Sequence, residues 1–269
     1  MAKAVLSIAS KNYGSWSLRG WLLCKMAGLD FEEQQVSADD PSTRAELLLL
    51  SPSFLVPCLT HDGLKVWDTL AIAEYLHELN PGAGLFPSDR AQRAHCRSVC
   101  GEMHSGFSNL RSALPMNIKA HFAGFKSWAG ARADIDRIVT IWQECLDAYG
   151  GPYLFGKRAC AADAMYAPVC TRFVTYDVKL GGPAADYCRT MMTHPYVEEW
   201  IAAAKLEPDE LDAFCRSSGL AGFKRPRRYI FVADIPKSPV GKLLRRKLVA
   251  GEYEVATAGA KAPAQGTAA

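Results

Sequence analysis

The chain has 269 residues, of which 49% are hydrophobic and 22% are charged, and this mixture is typical of a globular protein with a sizeable buried core. The formal net charge of +3 is too small to indicate a nucleic acid or a membrane surface as the main partner. The sequence shows neither an export signal nor an apolar run of the ~18 residues that a membrane span needs, and nine cysteines without a disulfide framework favour a reduced, cytoplasmic protein.

The first 82 residues predict a small α/β domain. Alternation indicates a strand over residues 3–9, and helical spacing follows over 15–27 until Gly28 stops it. A second strand over 31–36 completes a βαβ unit.

The same domain continues with a helical patch over 43–50 and two short strands over 57–60 and 64–67, which Asp62-Gly63 joins as a hairpin. A helix over 70–79 follows, with Asp68 or Thr69 as its N-cap. This order of elements is the thioredoxin-like arrangement.

Residues 88–205 show only helical periodicity and predict an all-helical domain, with the clearest apolar stripe over 133–149. The fold class is therefore an α/β thioredoxin-like domain followed by an all-α bundle. Residues 206–253 are polar, basic and interrupted by Pro and Gly, and the low-complexity tail over 254–269 is expected to be disordered.

Four segments then occur in order, namely 13–19 (YGSWSLR), 55–59 (LVPCL), 67–76 (WDTLAIAEYL) and 160–164 (CAADA). In this order the chain resembles the glutathione S-transferase family, of the zeta-like or bacterial kind, over residues 3–204. The resemblance implies glutathione as a co-substrate and no metal.

The resemblance assigns the glutathione contacts to Val56, Pro57, Asp68 and Thr69. The helix N-terminus and the Thr69 hydroxyl suit the γ-glutamyl carboxylate, and Asp68 suits the α-ammonium group. The alternative is that Asp68 and Thr69 only cap the helix. Val56-Pro57 resembles the family's cis-proline step, whose preceding backbone pairs with the cysteinyl part of glutathione.

The thiol of glutathione must ionise, and a hydroxyl at the start of the first helix can stabilise the thiolate. Aligned on Arg19, the chain departs from the zeta-like Ser-Ser-Cys-Ser motif, because Gly14 replaces the first Ser and Trp16 replaces the Cys. We therefore expect Ser15 to be the catalytic hydroxyl, with Tyr13 as a substitute. The alternative for Ser15 is a simple N-cap.

In the family, the first helix of the bundle lines the cleft for the electrophile. The candidate second-substrate residues on this basis are His104, Phe107, Arg111 and Met116. His95, Cys96, Cys100 and His104 also suggest a metal site, but ligands on one helix face rarely close a tetrahedral site, so we expect a packed stripe.

Residues 207–253 closely resemble the end of acyl-CoA synthetases, and Lys242 matches the lysine that reaches the acyl-adenylate in those enzymes. The large nucleotide-binding domain of that family is absent. We interpret the segment as a fusion remnant, with a basic docking surface as the next possibility, and expect residues 207–269 to be dispensable for glutathione binding.

The leading hypothesis for function is a homodimeric, glutathione-dependent transferase of detoxification type that conjugates, isomerises or reduces a small electrophile. One alternative is a non-catalytic binding or scaffold protein with the same fold. Another is an accessory module of an acyl-CoA ligase.

Overall fold

The structure is a computed structural model, and it describes residues 4–36 and 56–208. Apart from residues 120–122 and 208, these belong to one compact unit. The predicted helical patch at 43–50, the ligase-like segment from residue 209 onward with Lys242, and the tail at 254–269 lie outside the described residues.

A four-stranded mixed sheet forms the first part of the unit, in the order β2-β1-β3-β4. Its strands are β1 (Ala4–Ile8), β2 (Phe31–Gln35), β3 (Cys58–His61) and β4 (Leu64–Trp67). β1 pairs parallel with β2 and antiparallel with β3, and β4 pairs antiparallel with β3. Since a parallel pair needs a crossover connection, helix α1 (Ser15–Met26) joins β1 to β2, as the alternating pattern predicted.

Seven further α-helices follow in the described residues. They are α2 (Thr69–Leu79), α3 (Arg90–Ser105), α4 (Ser108–Ala113), α5 (Ala129–Tyr149), α6 (Ala161–Thr175), α7 (Gly182–Met192) and α8 (Pro195–Leu206). The prediction of an α/β thioredoxin-like part followed by a helical part is confirmed.

Helix α6 is the centre of the helical core, and nearly all of its residues are buried. Asp163 anchors its first turn by accepting hydrogen bonds from Cys160 N at 2.8 Å, Leu154 N at 3.1 Å and the Tyr187 hydroxyl at 3.1 Å. Although burial raises the pKa of the Asp163 carboxyl, these donors satisfy its oxygens, so the capping box that Asp163 forms with Cys160 acts as a folding element.

Eight cysteines of the described residues are buried and carry free thiols. Among the helices of residues 4–36 and 56–208, none is both long enough and apolar enough to cross a bilayer.

Candidate functional site

The N-terminus of α2 is organised by Asp68, which is its N-cap residue at a positive φ of 74°. Its Oδ1 accepts hydrogen bonds from Leu70 N at 2.8 Å and Ala71 N at 3.4 Å. Its Oδ2 lies 3.2 Å from Nε2 of His104 in α3. Asp68 rather than Thr69 is therefore the cap, and it also links α2 to α3.

Thr69 has a different environment from the cap beside it. The residue is 1% exposed, and its buried Oγ1 has no hydrogen-bond partner within residues 4–36 and 56–208. A buried hydroxyl that is left unpaired carries a desolvation cost. A polar ligand group at this end of the helix could therefore form a hydrogen bond with the Thr69 hydroxyl.

The Val56–Pro57 peptide bond is cis, as the family resemblance implied. Pro57 packs directly on α1 at Gly20, where an added Cβ would lie 2.5 Å from Cγ of Pro57. The glycine thus allows a close approach that a larger residue would prevent. The contact holds α1 against the start of β3.

The loop before α1 explains the departure at Gly14. Gly14 is the N-cap residue of α1 and supplies no side chain, while Ser15 is the first helical residue; the interpretation of Ser15 as the N-cap is therefore wrong. A Cβ at Gly14 would lie 2.5 Å from the Ser10 carbonyl oxygen, so the local backbone excludes the serine that the family motif has here. Ser15 is buried, whereas Tyr13 is 45% exposed.

Trp16, which replaces the motif's cysteine, is surrounded by basic side chains. The guanidinium carbons of Arg19 and Arg111 lie 4.4 and 4.7 Å from the centre of its ring, within cation–π range. The His104 ring contacts it edge-on at 5.1 Å. Trp16 therefore connects the start of α1 with α3 and α4.

The positive charge of this cluster is buried. Arg19 is 0% exposed and donates through Nε to Met165 O at 2.8 Å, but its Nη1 and Nη2 have no hydrogen-bond partner in the described part of the chain. Burial, then the like charges of Arg111 and Arg172, hold the pKa of Arg19 well below its ordinary value. Burial and Arg111 likewise lower the pKa of Arg172 to about 10.

The four predicted second-substrate residues do not share one environment. His104 and Arg111 meet at Trp16, and the Arg111 guanidinium donates to the backbone carbonyls of Met103, Gly106 and His104. Phe107 and Met116 are only 8% and 3% exposed. His104 and Arg111 contact Trp16, whereas Phe107 and Met116 are buried, and the assignment of all four stays a prediction.

The His/Cys stripe on α3 is a packed surface. His95 Nδ1 lies 2.8 Å from the Tyr149 hydroxyl, and the Cys96 and Cys160 sulfurs are 3.9 Å apart, while His104 faces Asp68. In the described part of the chain, no group of three His, Cys, Asp or Glu residues could hold a metal ion.

The sequence interpretation missed the role of Trp16 as the centre of this cluster and the burial of Arg19 and Arg172. Arg19 was used only to align the motif. The signal for the burial of Arg19 was its position on the apolar face of a predicted helix. A charged side chain that is buried there needs hydrogen bonds or an opposite charge to compensate for its lost hydration.

Comparison with known proteins places the chain in a family. The glutathione S-transferase N-terminal domain model matches residues 13–79, and the corresponding C-terminal domain model matches residues 119–203. A probable maleylacetoacetate isomerase of Caenorhabditis elegans is 28% identical over 170 residues, which are 62% of this chain and 77% of that protein.

A solved glutathione transferase homologue from Burkholderia, with bound glutathione, superimposes with a TM-score of 0.57 at 24% identity, covering 76% of this chain and 98% of its own. The second resemblance is also confirmed. A 4-chlorobenzoate–CoA ligase of Pseudomonas is 48% identical over 62 residues, which are 19% of this chain but only 12% of the ligase. The two domain models together span more than half of the residues, and on that basis the chain belongs to the glutathione S-transferase family.

Proposed function

We propose that this protein is a glutathione-dependent transferase that presents the glutathione thiol to a small electrophile for conjugation, isomerisation or reduction. The observation that carries the proposal is the Thr69 hydroxyl, which is buried and unpartnered at the N-terminus of α2. A ligand carboxylate at this position would satisfy the hydroxyl and would also lie at the positive end of the helix dipole.

The γ-glutamyl end of glutathione would therefore bind at α2. Its carboxylate pairs with Thr69 and the helix N-terminus, and its ammonium group pairs with Asp68, which already orients its second oxygen toward His104. The backbone of Val56, before Pro57, lies at the start of β3 and would pair with the cysteinyl residue.

The thiol would then lie at the start of α1, with Ser15 as its hydroxyl donor and Tyr13 as the substitute. A positive field supports ionisation there, because, besides burial, Arg111 and Arg172 lower the pKa of Arg19 and Arg111 lowers the pKa of Arg172. Nearby cations favour the charged form of an acidic group such as a thiol.

The electrophile would bind beside Trp16, where His104 and Arg111 meet. Isomerisation is one supported reaction class, because the nematode relative is named as a probable maleylacetoacetate isomerase. A non-catalytic glutathione-binding protein is the second candidate, and the missing side chain at Gly14 favours it.

We also propose a homodimer that pairs through α2 and α3. These helices already contact each other through an exposed bidentate ion pair between Glu74 and Arg97, with N–O distances of 2.6 and 2.8 Å. Light scattering at micromolar concentration tests this, and a monomer would contradict it.

Two measurements test the function on the full chain. Calorimetry with glutathione should show binding, and turnover of chlorodinitrobenzene should exceed the uncatalysed rate. Binding without turnover of this or other electrophiles would favour the non-catalytic candidate. Absence of binding would overturn the proposal.

A further inference from the structure

The carboxylate of Glu207, one residue beyond the end of α8, reaches back to the loop between β1 and α1. Its Oε2 accepts from the Ser10 hydroxyl at 2.8 Å and from Asn12 N at 3.1 Å. Its Oε1 accepts from Lys11 N at 2.6 Å and from Gln35 Nε2 at 3.0 Å. Three of the four donors thus belong to the loop, at residues 10–12.

The held loop leads directly into the candidate catalytic residues. The carbonyl of Ser10, whose hydroxyl binds Glu207, accepts a hydrogen bond from Gly14 N at 2.7 Å, and Ser15 N donates to Tyr13 O at 2.9 Å. Ser10 therefore connects the Glu207 carboxylate to Gly14, the N-cap residue of α1. A change in the position of Ser10 is transmitted to Tyr13 and Ser15.

Other contacts hold the same loop from neighbouring sides. Trp200 Nε1, on α8, donates to Lys11 O at 2.9 Å. The side chain of the buried Asn12 binds Asn117 at 3.1 Å and Lys119 N at 2.9 Å. The Lys11 side chain pairs with the Glu33 carboxylate at 2.6 Å, whereas the Glu207 carboxylate binds the consecutive backbone N–H groups of Lys11 and Asn12.

The chemistry of four donors demands a carboxylate at this position. Each oxygen accepts two hydrogen bonds, and each oxygen faces one backbone N–H, from Lys11 or from Asn12. A glutamine would fill the same volume, but either orientation of its amide would direct N–H groups at a backbone donor. Hydrogen bonds to an ionised acceptor are also the stronger kind.

We infer that Glu207 is a positioning residue for the thiol end of the site, acting through Ser10 on the backbone that carries Tyr13 and Ser15. This inference rests on the proposed function. It also means that the first residue of the ligase-like segment supports the loop that leads into the site. The expectation that the chain is dispensable from residue 207 onward therefore does not extend to Glu207.

The inference predicts different effects of Glu207 at the two ends of bound glutathione. The γ-glutamyl end binds at α2, which Glu207 does not touch, so the affinity for glutathione should change little in a Glu207→Gln variant. The reacting thiol depends on the loop, so kcat should fall by at least about tenfold, the order of effect that a small misplacement produces. The pKa of the bound thiol, followed by thiolate absorbance, should rise.

The matched control is Glu199→Gln, which removes a carboxylate from α8 that pairs with Lys25 at 3.0 Å and lies away from the loop. Full-length wild type and both variants are compared by glutathione calorimetry, thiolate titration, kcat and amide exchange of residues 10–15. We expect faster exchange, lower kcat and a raised thiol pKa in Glu207→Gln alone. If Glu207→Gln does not fold, Ser10→Ala removes one of the four bonds and should produce the same changes at smaller size.

Wild-type values for all of these readouts in Glu207→Gln would overturn the inference, and so would a lowered melting temperature with unchanged kcat, thiol pKa and loop exchange. Failure of the wild type itself to bind glutathione would instead overturn the proposed function. Loop exchange does not depend on glutathione, so it still tests the effect of Glu207 on the loop in that case.

Discussion

The two ends of the candidate site are organised in different ways. At the α2 end, one short stretch of sequence supplies the cap Asp68, the hydroxyl of Thr69 and the helix N-terminus. At the α1 end, the loop over residues 10–14 is held by side chains that are far away in the sequence, among them Asn117, Trp200 and Glu207. The first end is built mainly from neighbouring residues, whereas the second also depends on residues that the helical part supplies.

The largest expected effect tests the α2 end of the site. Asp68→Ala removes a cap, a link to His104 and the proposed partner of the glutathione ammonium group, so we expect glutathione affinity to fall by about 1.5–3 kcal/mol, measured by calorimetry. Asp89→Ala is the matched control, because Asp89 caps α3 through a 2.8 Å bond to Gln92 N away from the site. Both variants should lose about 1 kcal/mol of stability, and equal loss of affinity in both would reduce Asp68 to a cap.

Gly14→Ala tests the α1 end of the site, where the added Cβ would lie 2.5 Å from the Ser10 carbonyl oxygen. We expect a cost of about 1–3 kcal/mol in the free energy of unfolding from overpacking, with lower turnover. Gly101→Ala, in α3, is the control because a Cβ there meets nothing within 4 Å, and it should hold or raise stability. Denaturant unfolding measures both, and an unchanged midpoint for Gly14→Ala would show that the loop can relax.

The contrast also explains what the sequence could predict. The order of strands and helices, the cap at Asp68 and the cis bond before Pro57 follow from contiguous motifs or from the family resemblance, since their causes lie within a few residues. The exclusion of a side chain at Gly14 depends on one carbonyl oxygen four residues away. The hydrogen bonds between Glu207 and the loop join residues that are far apart in the sequence, and no spacing rule connects residue 207 with residue 11.

Thr69→Val should give a smaller effect than the loss of Asp68. The Thr69 hydroxyl has no internal partner, so its removal should leave the free protein as stable as before or slightly more so. Glutathione affinity should fall by about 1 kcal/mol, the value of one hydrogen bond, and Thr69→Ser should restore it. Unfolding curves and calorimetry measure the two quantities, and unchanged affinity in Thr69→Val would remove the observation on which the proposed function rests.

The smallest expected effect is a pH dependence of stability that arises at the start of α8, the helix that carries Trp200. His194 Nδ1 accepts from Tyr196 N at 3.3 Å at the start of α8, and burial lowers the pKa of His194. The unfolded chain then takes up a proton at higher pH than the folded one, so this residue costs stability as the pH falls below about 6.5. His194→Asn keeps an acceptor without titrating, and its melting temperature should fall less than that of the wild type over this range; parallel pH curves would contradict the assignment.

The buried cysteines have a consequence for the proposed reaction with an electrophile. The thiolate, not the thiol, is the nucleophile that attacks an alkylating agent. Burial raises the pKa of Cys24 and of Cys145 to about 12, and Trp16, in the first turn of α1, occupies the position where the zeta-like motif has a cysteine. All eight thiols of residues 4–36 and 56–208 are buried, and the raised pKa keeps Cys24 and Cys145 in the unreactive thiol form. In the proposed reaction the nucleophile would be the sulfur of a bound glutathione rather than either of these two cysteines.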